Sequence, residues 1–389
     1  MRVALVHDWL VSTRGGESVL ASLCRLFPGA PVYTLVHHGG GLTGDVGAVI
    51  ARHRVVPSFV QRLPGAHRYH RALLPLFPHA VEAWDFRGYD LVVSSSHCVA
   101  KGVIVPPSAT HVSYVHTPMR YAYEQFPDYF GATRLPAALG GGVRYLMHHL
   151  RLWDEVTAAR VDHYLANSHH VARRITARYR RDSVVVHPPV DMDRFARAGL
   201  WPRPDGPFLM VGAFAPYKRV DLAVEAFNRL RLPLHIVGGG QDAARIRPLC
   251  GPTVKLLGRL SDQEVAAAYA GARALVFPGE EDFGITPLEA MASGTPVIAL
   301  GRGGATETVV DAAEGPTATG VLFPEQSVDG LCAAVERFLA AEPGFRPDVL
   351  RAQAERFSRA RFEARMVEVL ERLVGNGPRT ARRSGLTAV

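Results

Sequence analysis

The amino-acid sequence predicts an α/β protein with two Rossmann-like domains, each built on a doubly wound parallel sheet. Short apolar, β-rich segments alternate with helical patterns along nearly the whole chain. This alternation is typical of parallel sheets that are covered by helices on both faces. The length of 389 residues also exceeds that of one domain of about 100–200 residues, so two domains are expected.

In the first half of the chain, the apolar runs are separated by helical stretches. Strands are expected at residues 3–7, 31–36, 91–94, 111–115, 163–166 and 184–187. Helices are expected near residues 17–26, 143–160 and 169–180.

The second half alternates more regularly. Strands are expected at residues 208–211, 234–237, 254–256, 274–277, 296–299 and 320–323. Helices are expected near residues 220–229, 243–249, 262–270, 287–292 and 328–340.

Residues 193–207 interrupt this rhythm and predict a linker, because they contain Pro202, Pro204, Gly206 and Pro207 without any periodicity. The expected divisions are an N-terminal, acceptor-side domain over 1–195, a linker over 196–207, a C-terminal domain over 208–345, helices packing back toward the N-terminal domain over 346–374, and a disordered basic tail over 375–389. Doubly wound sheets bind ligands at the carboxyl ends of their strands, so a site is expected in a cleft where the two domains face each other.

Composition excludes several classes of protein. With 48% hydrophobic and 21% charged residues, the chain is neither disordered nor collagenous nor a coiled coil. No apolar run reaches the roughly 18–20 residues of a membrane helix, and the N-terminus turns polar too early for a signal peptide. The cysteines show no metal or redox spacing; they are Cys24, Cys98, Cys250 and Cys332. We therefore expect a cytoplasmic protein with reduced cysteines.

The formal net charge of +8 suits a polyanionic ligand or an anionic membrane surface, although general arginine usage gives the same balance. Only three lysines occur, Lys101, Lys218 and Lys255. In a chain that otherwise uses arginine, a lysine is a candidate for a site that needs a compact positive charge, with chance retention as the alternative.

The most specific segment follows the predicted strand that ends at Phe277. Gly284 permits a close backbone approach, Thr286 suits the N-cap of the next helix, and Pro287 suits its first position. The N–H groups of Gly284, Ile285 and Thr286 would then point, with the helix dipole, at one place. This arrangement predicts an anion site suited to a diphosphate.

Two carboxylates flank this predicted anion site. Glu281 lies in the loop and Glu289 in the first helical turn, eight residues later. They would stand on either side of the phosphates and accept hydrogen bonds from sugar hydroxyls. The alternative is structural, because Thr286 and Glu289 also match a capping box, which needs no ligand.

This segment resembles the E-x7-E motif of retaining glycosyltransferases of family 4, which have the GT-B fold. Three further stretches resemble motifs of that family in the family's order: Arg14-Gly15-Gly16-Glu17, residues 114–121 and residues 215–221. The likeness extends from about residue 2 to residue 370. The N-terminal details are most similar to mannosyltransferases of bacterial surface-polysaccharide assembly, of the WbaZ type.

The resemblance implies a role for each matching residue of the C-terminal domain. Glu289 would bind the ribose hydroxyls of the nucleotide, and Glu281 the donor hexose near its 3- and 4-hydroxyls. Lys218 and Arg219 would neutralise the diphosphate as it leaves. The family often has an arginine where Ala213 stands, so we expect Arg219 to replace that phosphate contact.

The resemblance also implies donor contacts elsewhere. His116 would hydrogen-bond the 6-hydroxyl of the donor sugar, and Gly15 and Gly16 would let backbone N–H groups approach the phosphates or the acceptor. A packed loop histidine and a plain glycine turn are the alternatives. Arg259 would lie near the base, where it would help to discriminate guanine from uracil.

No metal and no cofactor are expected. Asp191-Met192-Asp193 matches the D-x-D pattern of metal-dependent glycosyltransferases, but it lies in the interdomain stretch rather than after a strand. The resemblance implies that protein cations and helix dipoles act instead. Gly238-Gly239-Gly240 lacks the spacing of a dinucleotide-binding turn and predicts only a tight turn.

Residues 52–77 interleave five arginines and three histidines with apolar side chains. A basic amphipathic patch of this kind would rest on an anionic membrane, where a polyprenyl-linked acceptor would be found. A helix pair with a solvated basic face is the alternative. Nucleic acid is not an expected partner, since no recognisable module accompanies the charge.

The sequence therefore predicts transfer of a hexose from a nucleotide-sugar donor to a glycan or polyprenyl-linked acceptor, with retention at the anomeric carbon and mannose from GDP-mannose favoured. The protein would work in the cytoplasm, with peripheral contact at the inner face of the cell membrane. The alternatives are a UDP-glucose, UDP-galactose or UDP-GlcNAc donor, a nucleotide-sugar epimerase, and a non-catalytic ligand-binding protein.

Overall fold

A computed structural model describes residues 1–124, 126, 137–196 and 204–375. They form two compact units. The first comprises Met1–Pro189 with the described residues from Ala360 onward, and the second comprises Val190–Arg359. Most of the predicted linker, residues 197–203, and the predicted tail beyond residue 375 lie outside the described residues.

The first unit contains a seven-stranded sheet in which all neighbouring strands are parallel, in the order β3-β2-β1-β4-β5-β6-β7. The strands are β1 (Val3–His7), β2 (Val32–Thr34), β3 (Val55–Pro57), β4 (Leu91–Ser96), β5 (Thr110–Val115), β6 (His163–Ala166) and β7 (Ser183–Val185). The α-helices of this unit are Gly15–Leu26, Gly44–Ile50, Ala66–Tyr69, Phe77–Glu82, Ala137–Thr157, His169–Tyr179 and Arg359–Gly375, the last beginning at the boundary between the units.

Both faces of this sheet are buried, as expected for parallel strands covered by helices. Leu5 of β1 packs in one cluster with Val93 of β4, whereas Ala4 and Val6 pack in the cluster on the other face. The alternation of side chains along each strand therefore supplies two cores.

The C-terminal helices are divided between the units. In Arg359–Gly375, Phe362 and Met366 are buried in a core of the first unit. In Pro347–Glu355, by contrast, Leu350 is buried in the second unit. The structure thus differs from the predicted division at residue 346, because the apolar side chains of the first of these helices complete the second unit's core.

The second unit contains a six-stranded parallel sheet in the order β10-β9-β8-β11-β12-β13. Its strands lie within two residues of the predicted ends: β8 (Phe208–Ala213), β9 (Leu234–Gly239), β10 (Val254–Gly258), β11 (Leu275–Phe277), β12 (Val297–Leu300) and β13 (Gly320–Phe323). Its α-helices are Met192–Ala196, Val220–Leu230, Ala243–Ile246, Asp262–Gly271, Ile285–Ala292, Ala305–Thr308, Val328–Ala341 and Pro347–Glu355.

The basic segment 52–77 is folded differently from the helix pair that was the alternative to a membrane-binding patch. It contributes β3 at the edge of the sheet, followed by short turns of 3₁₀ and α-helix. A three-residue strand that ends at Pro57 shows no alternating pattern, which is why the sequence did not predict it. The helix-pair interpretation is therefore wrong.

Two parallel-sheet, Rossmann-like units confirm the predicted α/β class. Within the described part of the chain, no helix combines the length and the apolar composition needed to cross a membrane.

Lys101 lies in the interior of the first unit and is only 2% exposed. Its Nζ lies 3.0 Å from Oδ1 of Asp154 and donates to Oγ1 of Thr157 at 3.2 Å. The hydroxyls of Tyr123 and Tyr179 donate to the same carboxylate. Burial lowers the pKa of Lys101, and the adjacent carboxylate opposes that shift. This lysine is therefore structural.

Lys101→Met should lower the free energy of unfolding of the first unit by about 3–5 kcal/mol, because Asp154 would remain buried without its counter-charge. Adding Asp154→Asn should restore most of the loss, since no buried charge then stays unpaired. Urea denaturation followed by fluorescence of Trp153, whose ring centroid lies 5.8 Å from Lys101 Nζ, measures both effects. A loss under about 1 kcal/mol, typical of surface ion pairs, would contradict this role.

Candidate active site

The strand order places the predicted residues at the topological switch point of the second sheet. Strand β8 is followed by the turn Pro216–Lys218, and the neighbouring strand β11 is followed by the loop that contains Glu281. Helices leave these two strands for opposite sides of the sheet, which opens a crevice at their carboxyl ends. Lys218 and Glu281 therefore meet although they are 63 residues apart in sequence.

The ammonium of Lys218 forms an ion pair with Oε1 of Glu281. Both side chains are largely buried, with 13% and 14% exposure. The ammonium also lies 5.7 Å from the ring centroid of Phe277, within the range of a cation–π contact. The predicted lysine and carboxylate thus form one site on the second unit.

Glycine permits the approach that brings these loops together. A Cβ on Gly279 would lie 2.6 Å from the carbonyl oxygen of Tyr217 and 2.9 Å from Cα of Lys218. A Cβ on Gly304 would lie 2.2 Å from Cα of Phe283, and the N–H of Gly304 donates to the carbonyl oxygen of Glu281 at 2.8 Å. Side chains at either position would separate the loops, so the ion pair depends on both glycines.

The helix Ile285–Ala292 begins earlier than the sequence predicted. Gly284 is the N-cap, in the left-handed region with φ of 80°, and no side chain caps the helix. Thr286 and Pro287 are therefore its second and third residues, so their predicted placement at the N-cap and first position is wrong. The cause is Gly284, which adopts a conformation that is costly for residues with a Cβ.

The N-terminal end of the helix Ile285–Ala292, where the helix dipole is positive, follows the loop that carries Glu281. The first N–H groups of a helix have no partner within it, and here they belong to Ile285 and Thr286, because Pro287 has no N–H. The anion site predicted at Gly284, Ile285 and Thr286 stays a prediction, and the helix start on which it depends lies there with a different cap.

Glu289 is held by a tyrosine rather than by a capping box. Its Oε2 accepts a hydrogen bond of 2.8 Å from the hydroxyl of Tyr269, a fully buried side chain on the helix Asp262–Gly271. The capping-box interpretation of Thr286 and Glu289 is therefore wrong. Burial raises the pKa of Glu289, while Tyr269 and the positive charge of Arg194 oppose the shift.

The guanidinium of Arg219 binds acceptors within the protein. Its Nε donates to Asp221 at 3.2 Å and its Nη1 to Gln326 at 3.4 Å. Gln326 in turn donates to the carbonyl oxygen of Pro278 at 2.9 Å, beside the loop that carries Glu281. The residue expected to replace a phosphate contact is thus adjacent to the site and engaged with protein acceptors.

The structure does not bring Arg259 to this site. It is exposed and follows β10, the outer strand of the sheet, which β9 separates from β8. Gly238 lets the ends of β8 and β9 approach closely, because a Cβ there would lie 1.9 Å from the carbonyl oxygen of Gly212. Asp191 accepts a hydrogen bond from the backbone N–H of Arg194 and so caps a helix.

The first unit gathers polar side chains at its own switch point, between β1 and β4. His116 follows β5, and its Nε2 lies 2.8 Å from Oγ of Ser95 on β4. Gly16 is close by, since a Cβ there would lie 3.7 Å from His116 Nε2. Gly15 and Gly16 open the helix Gly15–Leu26, and the Glu17 carboxylate accepts a hydrogen bond of 2.9 Å from the backbone N–H of Arg14 at its N-terminus.

Burial holds the pKa of His116 well below its usual range, and the neighbouring His97 and His7 act in the same direction. The imidazole is therefore neutral at physiological pH. Its backbone carbonyl accepts a hydrogen bond of 2.9 Å from Asn167, which fixes the loop.

Sequence reasoning missed a buried carboxylate in this region. Asp8 follows β1 and accepts hydrogen bonds of 2.7–2.9 Å from the backbone N–H groups of His97, Cys98, Val99 and Ala100. The available signal was the polar pair His7-Asp8, which directly ends an apolar strand. Tyr269 and Arg194 carried no comparable signal, because their contacts lie far away in sequence.

Part of the chain is similar to a known sequence family. Residues 191–359, nearly the whole of this unit, match the family described as Glycosyl transferases group 1. Over 265 residues the chain is 31% identical to a D-inositol 3-phosphate glycosyltransferase of Geodermatophilus obscurus, covering 60% of this chain and 57% of that protein. Over 144 residues it is 40% identical to a GDP-mannose-dependent alpha-mannosyltransferase of Mycolicibacterium smegmatis, covering 35% and 36%. The chain thus spans less than two thirds of either relative.

Solved structures resemble the chain along nearly all its length. A sucrose-phosphate synthase from Thermosynechococcus elongatus has a TM-score of 0.70 at 18% identity, covering 96% of this chain and 100% of that chain. The Anabaena protein HepE, in complex with UDP and glucose, has a TM-score of 0.66 at 16% identity, covering 95% and 99%. These likenesses concern the fold, and they confirm the predicted GT-B class.

The contribution of the hydrogen bond between Tyr269 and Glu289 to stability can be measured with a double-mutant cycle of Tyr269→Phe, Glu289→Ala and the double variant. At pH 8 the coupling energy should be about 1.5–3 kcal/mol, as for hydrogen bonds to charged groups. It should shrink as the pH falls through the raised pKa of Glu289, because the carboxyl becomes protonated. Urea denaturation at several pH values measures it. Single effects that add within about 0.5 kcal/mol at every pH would show that the bond contributes nothing.

Proposed function

We propose that the chain is a retaining, metal-independent glycosyltransferase of group 1, which moves a hexose from a nucleotide sugar to a hydroxyl of a glycan or lipid-linked saccharide. The observation that carries the proposal is the Lys218–Glu281 ion pair beside the start of the helix Ile285–Ala292. This cluster lies in the unit that matches the glycosyltransferase family. It combines a cation and free N–H groups for a diphosphate with a carboxylate for sugar hydroxyls.

In the proposed reaction, the bond between the anomeric carbon and the diphosphate oxygen breaks while the acceptor oxygen attacks from the same face. The acceptor proton passes to the departing phosphate oxygen, so charge and atoms balance without an enzymic nucleophile. Lys218 and the N–H groups of Gly284, Ile285 and Thr286 stabilise the negative charge as it develops. Such catalysis consists of positioning and electrostatic stabilisation.

Glu281 and Glu289 would hold the two ends of the donor. Glu281, anchored by Lys218, would accept hydrogen bonds from hexose hydroxyls. Glu289 would accept from the ribose hydroxyls, with Tyr269 fixing one of its oxygens. Arg219 would exchange its contact with Gln326 for a phosphate oxygen, and Arg259 would contact the base. His116 and Gly16 would contribute from the first unit.

GDP-mannose is the favoured donor, and relatives named GDP-mannose-dependent alpha-mannosyltransferase support this choice. The HepE structure, which contains UDP and glucose, supports a UDP-hexose as the second candidate. For the acceptor, a polyprenyl-linked saccharide of a surface-polysaccharide pathway, as in the WbaZ type, remains our first choice. The relative named D-inositol 3-phosphate glycosyltransferase makes a phosphorylated cyclitol a second candidate.

Peripheral contact with an anionic membrane is part of the proposal. Phe59, Tyr69 and Leu76 are exposed apolar side chains within the arginine-rich segment 52–77, with 38%, 59% and 39% exposure. Apolar side chains among basic ones match the chemistry of a lipid headgroup layer. The cytoplasmic face of the membrane would present the acceptor there.

A donor screen should identify the nucleotide. We expect GDP release from GDP-mannose in the presence of a lipid-linked acceptor, and little release from UDP-glucose, UDP-galactose or UDP-GlcNAc. The rate should be unchanged by EDTA, because Lys218 and helix N–H groups take the place of a divalent ion. Release of UDP instead of GDP would show that the donor is a UDP-sugar. If EDTA abolished activity and Mg²⁺ or Mn²⁺ restored it, the metal-independent mechanism would be refuted.

Lys218→Ala and Glu281→Ala should each lower kcat/KM by about 10²–10³-fold or more, since each removes a stabilising group from the site. Lys255→Ala, at an exposed position on β10, is the matched control and should retain wild-type activity. Released nucleotide measures the rates, and circular dichroism verifies folding. Near-wild-type activity of either site variant would rule out the proposed site.

A further inference from the structure

Four polar side chains of the first unit form a continuous chain that ends at His116. Oε1 of Glu17 lies 3.9 Å from Nε2 of His7, and Nδ1 of His7 lies 3.1 Å from Oγ of Ser95. The same Oγ lies 2.8 Å from Nε2 of His116. His7 and Ser95 are fully buried and Glu17 is 4% exposed, so these contacts lie away from bulk water.

A single hydroxyl proton links the two imidazoles. Ser95 can donate to one ring only, so the other ring must donate to its oxygen. If Ser95 donates to His7, His116 carries its proton on Nε2 and presents a lone pair at Nδ1. If Ser95 donates to His116, then His116 carries its proton on Nδ1 and presents a donor there. The direction of the chain therefore sets what His116 offers to a ligand.

Glu17 selects between these two directions. Burial alone would raise the pKa of its carboxyl, but His7 opposite brings the pKa below the ordinary value, so the group is ionised at physiological pH. A carboxylate facing Nε2 of His7 favours a proton on that nitrogen and disfavours a lone pair there. Nε2 of His7 has no hydrogen-bond partner among the described residues, so the Glu17 carboxylate 3.9 Å away is the polar contact that the structure gives this nitrogen.

The other charged groups nearby do not oppose the preference for a proton on Nε2 of His7. Asp8 is occupied by four backbone N–H groups and by Nδ1 of His97 at 3.1 Å. Burial lowers the pKa of His97. The second carboxylate oxygen of Glu17 accepts from the backbone N–H of Arg14 at 2.9 Å, which fixes Glu17 beside His7.

We propose that Glu17, acting through His7 and Ser95, holds His116 in the tautomer protonated on Nε2, so that its Nδ1 accepts a hydrogen bond from a substrate hydroxyl. Glu17, His7 and Ser95 are then positioning residues for His116. The inference rests on the proposed function for the identity of the substrate, whereas the tautomer itself is a property of the free protein.

The direct test is nitrogen NMR of the full-length protein labelled with ¹⁵N-histidine. The resonances of His116 are assigned by their loss in His116→Gln. In the wild type, Nδ1 of His116 should appear as the unprotonated ring nitrogen. In Glu17→Gln, the amide can donate to Nε2 of His7 and reverse the chain, so the unprotonated nitrogen should become Nε2. The amide oxygen of glutamine can also accept from the backbone N–H of Arg14, as Glu17 does.

Ser94→Ala is the matched control. Ser94 precedes Ser95 on β4 and points to the opposite face of the sheet, where its Oγ lies 2.9 Å from Nε2 of the buried His111. Its removal should leave the tautomer of His116 unchanged, whereas Ser95→Ala should leave His116 with a mixture of tautomers. A protonated Nδ1 in the wild type, or an unchanged tautomer in Glu17→Gln, would overturn the inference.

Kinetics connect the tautomer with the substrate. Glu17→Gln should lower kcat/KM about tenfold for the hexose donor, the cost of one hydrogen bond. With the matching 6-deoxy donor, which lacks the hydroxyl assigned to His116, the variant should equal the wild type. Equal losses with both donors would contradict the role in substrate contact. Absence of transfer from any donor would refute the proposed function, and the NMR result would still decide the tautomer.

Discussion

The close backbone approach between three loops of the second unit determines where its charged groups lie. Gly279 lets the loop after β11 contact the turn that carries Lys218, and Gly304 lets the neighbouring turn support that loop from the other side. A lysine and a glutamate from distant parts of the sequence are thereby paired in a largely buried place. The position of this ion pair thus depends on close backbone contacts at two glycines.

The sequence predicted the strands of the second unit well, for a physical reason. Buried parallel strands are short apolar runs, and polar residues directly after them must lie at one edge of the sheet. Lys218 and Glu281 follow β8 and β11 in this way. The sequence was less informative where an element was too short to show a period, as with β3, or where apolar helices such as Pro347–Glu355 fit more than one core.

The helix cap and the long-range hydrogen bonds could not be predicted from the local sequence pattern. Thr286-Pro287 has the composition of a helix start, but the left-handed Gly284 begins the helix before it. Glu289 has the spacing of a capping partner, but Tyr269 on another helix occupies it. The chain from Glu17 to His116 joins three separate segments, so the sequence predicted His116 as a candidate but not the contacts that lead to it.

The buried carboxylate of Asp8 has a consequence for ligand recognition. The four N–H groups that it occupies form a concave turn of the kind that binds phosphate in many nucleotide-binding folds. Because the protein supplies its own anion, this turn is electrically satisfied and rigid before any substrate arrives. These four N–H groups are therefore not available to a phosphate, and the turn that carries them holds His97 beside Asp8.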